Sequence, residues 1–161
     1  MWLPPIMEME GDWDEYCDSL FEAFERDLLG ARFHGRRVGR RKMPEVAGKP
    51  DGFWHVTSEF DKDSTERIPD LRRCERVPWI GPTINAVGSD RVLCWQSPRR
   101  APNGHNVVIA LPTFEYAVIH GHRRRGTEQP YMVLITAFVP RSRRRAQFAA
   151  EYAAQGEYVP E

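Results

Sequence analysis

The chain has 161 residues, 41% of them hydrophobic, and its 23 basic and 23 acidic side chains cancel to a formal net charge of zero. That length suits a single domain with a real core, and a neutral total excludes a global field that would draw the molecule onto nucleic acid or a membrane surface. No apolar run approaches the roughly 20 residues of a membrane span.

The start, Met1-Trp2-Leu3-Pro4-Pro5, lacks the basic and apolar pattern of a secretory signal. Cys17, Cys74 and Cys94 are odd in number, far apart and form no Cys-x-x-Cys pair, which points to reduced thiols and a cytoplasmic setting. The charge is unevenly spread. Residues 1–30 carry nine acids and one base, whereas residues 31–49 carry seven bases (Arg32, Arg36, Arg37, Arg40, Arg41, Lys42, Lys49) and one acid. Arg123–Arg125 and Arg141 with Arg143–Arg145 make two further basic clusters, and such local patches bind polyanions even on a neutral chain.

Residues 1–11 read as a loose lead-in. A helix is predicted over 12–29, because Trp13, Cys17, Leu20, Phe21, Phe24 and Leu28 recur at three- and four-residue steps. Residues 30–52, rich in Gly, Arg and Pro, read as a long basic loop and a candidate phosphate-contacting arm. Phe53–Glu59 mixes aromatic and β-branched residues and is expected as a short strand or bend, followed by a charged turn. Pro69 fits the first turn of a short helix that Pro78 ends. Trp79, Ile80 and Ile84 read as core anchors.

Four short strands follow, over 91–96, 106–111, 116–122 and 131–139, with connections short enough to favour an antiparallel meander. A last helix over 142–154 has Ser142 as cap, an Ala146/Ala149/Ala150/Ala153 stripe and Gly156 as terminator, with 156–161 loose. The expected fold is therefore a single α+β domain: N-terminal helices, a four-stranded antiparallel sheet and a C-terminal helix.

The chemistry concentrates in Phe53-Trp54-His55-Val56-Thr57-Ser58-Glu59 and in Arg67 to Trp79. An imidazole near several guanidiniums suits work on a phosphate, one group moving protons and the others neutralising charge. His55 is the candidate proton carrier. Thr57 shares its side if the segment is a strand. Arg67, Arg72, Arg73 and Arg76 can hold phosphate oxygens in bidentate forks, or pair instead with Asp70, Glu75 and the acids of the first helix. His105, His120 and His122 could share a side, without the spacing of a recognisable metal motif. No phosphate-binding Gly-rich loop, Gly-x-Ser-x-Gly elbow or His-Glu-x-x-His is present.

The block Gly48-Lys49-Pro50-Asp51-Gly52-Phe53-Trp54-His55, with Glu66 to Ile80 and the closing Leu134-Ile135-Thr136-Ala137-Phe138, resembles a small family found in phages and prophages. That family is associated with the barnase/EndoU/colicin/RelE-like (BECR) ribonucleases, and the resemblance spans about residues 12–155. It implies helices followed by a four-stranded antiparallel sheet, and metal-independent RNA cleavage with no cofactor. It places His55 as base or acid, Arg73 and Arg76 as catalytic phosphate stabilisers and Thr136 as a phosphate-contacting hydroxyl. Thr57, Arg67, Arg72 and Trp79 would be substrate contacts, and His120, His122 or Glu59 candidates for the second proton carrier. The expected partners are RNA and an inhibitor or host protein, with no membrane. The alternative is a non-catalytic phage module that binds nucleic acid or a protein.

Overall fold

A computed structural model describes residues 2–160 of the chain. Asp12 caps α1 (Trp13–Gly30), its carboxylate accepting from the Glu15 N–H at 2.9 Å, and the next two acids sit where the helix dipole favours them. The inward face of α1 is Tyr16, Cys17, Leu20, Ala23, Phe24 and Leu28. The lead-in, expected to be loose, is tied down. The Trp79 indole N–H donates to the Pro4 carbonyl at 2.8 Å, the Tyr16 hydroxyl to that of Met7 at 2.7 Å, and Leu3 is buried.

The stretch read as a long basic loop carries three two-residue strands. β1 (Arg32–Phe33) and β2 (Arg36–Arg37) form a hairpin, and β3 (Gly39–Arg40) runs parallel to the last strand of the main sheet. Its buried apolar anchors are Ala31, Phe33 and Val38, too few to show a period. Residues 53–59 are also corrected. α2 (Asp51–Thr57) is a helix, entered from extended Pro50, and only Ser58–Phe60 is a strand, β4. Here Pro50 and Asp51 supply a helix start that outweighs the β-branched Val56 and Thr57. β4 pairs with β5 (Arg67–Pro69) across the charged turn. Pro69 closes β5 rather than opening a helix, and Asp70 caps α3 (Leu71–Glu75) through the backbone N–H of Arg72 and Arg73. A 3-10 turn (Val77–Trp79) and α4 (Ile80–Asn85) complete the helical layer.

The four predicted strands are β6 (Leu93–Gln96), β7 (Gly104–Ala110), β8 (Ala117–Arg123) and β9 (Tyr131–Phe138), each antiparallel to the next. With β3 added they make a five-stranded mixed sheet in the order β3-β9-β8-β7-β6. Alternation along the strands divides the core. Val107, Ile109, Val118, Met132, Leu134 and Ala137 join α1, α2 and α4 in one cluster. Trp95, Val108, Ala110, Ala117 and Ile119 form a second cluster with Phe148 of α5 (Ser142–Gln155).

Phe148 is the buried residue of α5, so an aromatic rather than the alanine stripe faces the sheet. Arg141, not Ser142, takes the cap position, and Gly156 ends the helix at φ 73°. The tail is held by the Tyr158 N–H, which donates to the Cys94 carbonyl at 2.7 Å. Among the described residues no helix is long and apolar enough to cross a membrane.

Candidate nucleic-acid groove

His55 stands at the junction of α2, β9 and the β4–β5 hairpin. Asp51 lies one helical turn earlier, and its Oδ2 is 3.3 Å from His55 Nε2. Gly52 between them lets α2 seat on β3: a Cβ there would lie 3.1 Å from the Arg41 nitrogen, and the Gly52 N–H donates to the Arg41 carbonyl at 2.9 Å. From β5, Arg67 brings Nη2 to 3.0 Å from both ring nitrogens of His55, while its guanidinium lies 4.3 Å over the Phe60 ring. The imidazole remains 31% exposed.

Burial, and then the charge of Arg67, push the His55 pKa below its ordinary 6.5, against the opposing pull of Asp51. The ring is therefore neutral near pH 7. On donor and acceptor grounds we assign the proton to Nε2, facing the carboxylate, and the lone pair to Nδ1, facing the guanidinium.

The backbone beneath this ring is clamped. Thr136 Oγ1 donates to the His55 carbonyl at 3.0 Å and Arg73 Nη1 to the same oxygen at 3.1 Å, with a further bond from Arg73 to the Ser58 carbonyl at 3.0 Å. Those groups finish the end of α2, where carbonyls lack helical partners. Thr136 and Arg73, expected as phosphate contacts, thus meet His55 at its carbonyl rather than at its ring.

From His55 a groove of about 1000 Å³ runs along the part of the sheet beside β3. Its lining includes Tyr131, Val133 and Ile135 of β9 together with Arg36, Arg37, Arg40, Arg41, Arg123 and Arg125. Arg40 pairs with Glu25 of α1, and Arg41 Nε lies 3.6 Å from Asp51 Oδ2. Arg36, Arg37, Arg123 and Arg125 form no ion pair with a described residue. Arg123 folds back over Gly121, whose missing Cβ would meet the guanidinium at 2.6 Å, and donates to the Asn106 side chain at 2.8 Å and the His105 carbonyl at 2.9 Å.

The remaining predicted residues stand apart from the ring. Thr57 is buried and bonds back to the Phe53 carbonyl at 3.0 Å, so its placement as a substrate contact is corrected: helix, not strand, geometry turns it inward. Arg76 stacks on Trp79 at 5.1 Å and donates to the Arg72 carbonyl. Trp79 itself is spent on Pro4, and Arg72 is exposed on α3.

His120 and His122 stack with ring centroids 4.9 Å apart, as do His105 and His122, but this set lies under Phe33 and Tyr158. His120 is fully buried with its Nε2 unpartnered among the described residues. No group of three or more His, Cys, Asp or Glu side chains among the described residues is arranged to hold a metal ion. Glu59 is exposed on β4.

Sequence reasoning missed Asp51 as the partner of His55. The signal was their four-residue spacing, meaningful only once the segment is read as a helix. Comparison with family models, curated proteins and solved structures returns no match, so the site rests on its own geometry.

Proposed function

We propose that the groove holds the sugar–phosphate backbone of RNA and that the protein is a metal-independent ribonuclease of BECR type. The observation that carries this is one partly exposed imidazole, backed by a carboxylate, in a groove lined by six arginines. In this mechanism His55 Nδ1 takes the proton of a ribose 2′-hydroxyl, and Asp51 stabilises the imidazolium through Nε2–H. The 2′-oxygen attacks the adjacent phosphorus, the bond to the 5′-oxygen breaks, and that oxygen takes a proton from water in the groove. The products are a 2′,3′-cyclic phosphate and a 5′-hydroxyl. Arg67 moves from the imidazole to a phosphoryl oxygen as substrate enters, which frees Nδ1 and places charge where it builds up. Thr136 and Arg73 act as positioning residues through the His55 carbonyl.

The resemblance of residues 48–55, 66–80 and 134–138 to the phage family supports the reading, as does the order of helices followed by an antiparallel meander. The buried free thiols Cys17, Cys74 and Cys94 support a cytoplasmic setting, in which the protein acts as a phage or toxin effector and meets an inhibitor or host protein.

A second reading, an RNA-binding module without catalysis, is favoured by the closure of Arg67 on both ring nitrogens. Incubation of labelled RNA with purified protein in excess chelator separates the two. Cleavage to cyclic-phosphate ends, abolished in His55→Ala, is the expected outcome. Intact RNA that still binds the protein overturns catalysis and leaves the module.

A further inference from the structure

We propose that Phe60 is a positioning residue that holds Arg67 closed over His55, so that the β4–β5 hairpin covers the base until a phosphate draws the guanidinium away; this rests on the reading of His55 as the base of a ribonuclease. β4 and β5 form a two-stranded sheet of their own, apart from the five-stranded sheet. Phe60 and Arg67 are directly opposite in its register, so their side chains leave one face of the hairpin together. Phe60 is 61% exposed and belongs to neither core cluster. Its ring nevertheless has a partner, since Arg67 Cζ lies 4.3 Å from its centroid.

Three groups hold that guanidinium. Phe60 offers its ring, the Ser58 carbonyl and hydroxyl accept from Nη1 at 3.1 and 3.3 Å, and Nη2 meets the imidazole. No carboxylate among the described residues forms an ion pair with Arg67. Nη2 is 3.0 Å from both ring nitrogens of His55, whose in-plane bonding axes diverge, so it lies on the axis of neither. The contact thus covers the imidazole without an aligned hydrogen bond. A phosphate oxygen offers the same guanidinium a charge-assisted bond, which is stronger. The cross-strand ring is what the closed position keeps against that competitor.

The test follows the titration of His55 by NMR on isotope-labelled protein, and steady-state cleavage of labelled RNA in excess chelator, both on the full chain. The charges acting on His55 are Asp51 of α2, Arg67 of β5, Arg73 of α3 and Arg41. Loosening Arg67 weakens a depressing charge, so Phe60→Ala should raise the His55 pKa towards 6.5. The same variant should raise kcat/KM about two- to fivefold, the size of an exposed cation–π contact. Its kcat should stay level, because bound substrate has already drawn Arg67 away. Phe60→Tyr, which keeps the ring, should restore both wild-type values. Arg67→Gln should also raise the His55 pKa but lower kcat, because the phosphate loses its cation. An unmoved His55 pKa in Phe60→Ala, or a kcat/KM that falls or stays level, overturns the latch while the ribonuclease reading stands. Absence of cleavage by wild type and every variant overturns the ribonuclease reading, and with it the latch as a control on catalysis.

Discussion

The molecule holds two histidine regions, and they are opposites. At the junction of α2 and β9, His55 is partly exposed, has a carboxylate on one nitrogen and a guanidinium across both, and looks into a groove. At the far end of β7 and β8, His105, His120 and His122 are layered against one another beneath Phe33 and Tyr158. Both regions depress histidine pKa values, and in both burial is the largest cause. The difference lies in the neighbours and, for His120, in access. A neutral ring beside a carboxylate and open to solvent can move a proton to and fro. A ring stacked on other imidazoles and covered by aromatics serves as packing whose polarity is a cost.

The sharpest way to break this comparison is to truncate each region. His55→Ala should lower RNA cleavage by about 10²–10⁴-fold while leaving the melting temperature close to wild type. His120→Ala should do the reverse, costing roughly 2–4 kcal/mol of stability through the cavity it leaves, with the folded fraction cleaving normally. Denaturant melts and cleavage rates on both variants check this, and loss of cleavage in folded His120→Ala would merge the two regions into one.

Replacing Arg37 and Arg41 together by Gln should lower the slope of log affinity against log salt by about 1.4, near 0.7 for each phosphate contact on a single strand. The same change at Arg143 and Arg144, on α5 and away from the groove, should leave the slope unchanged. Thr136→Val removes one bond to the His55 carbonyl and should cost about 1 kcal/mol, with a loss of cleavage smaller than that of His55→Ala.

Acid provides the finest discrimination. Burial and the neighbouring His105 hold His122 at about 4 in the folded state, against 6.5. Between those values the unfolded chain binds more protons, so stability is fully present above 6.5 and is lost as pH falls towards about 4. Melting temperatures in His122→Gln should depend less on pH over that window. For His55 the lowered pKa keeps the base free below pH 6.5, so cleavage should persist into mildly acidic solution. Arg67→Gln removes the charge that depresses it and should move the acid limb of the rate profile upward. An unmoved limb would mean that another group sets it.

Much of the architecture was legible because it rests on long periodic segments. α1 showed its three- and four-residue period and its acidic start, and β6 to β9 showed apolar runs divided by turn residues. The site was legible only in part. His55, Arg67, Arg73 and Thr136 do meet, and the basic arm at Arg36–Arg41 does line the groove. Thr57 was misplaced because seven residues carrying both a helix start and β-branched ends support either structure locally. The strands at 32–40 went unread because two residues have no period.

By itself the order of residues determined the α+β class, the meander, the first and last helices and the presence of an imidazole among arginines, since each depends on patterns local to one segment. Only the tertiary structure decided which arginines face the groove, that Asp51 stands behind His55, and that His105, His120 and His122 stack on one another with His120 sealed inside. Those outcomes depend on contacts between segments tens of residues apart. They follow from how α2 seats through Gly52 on β3, and from a sheet face that α5 leaves partly open.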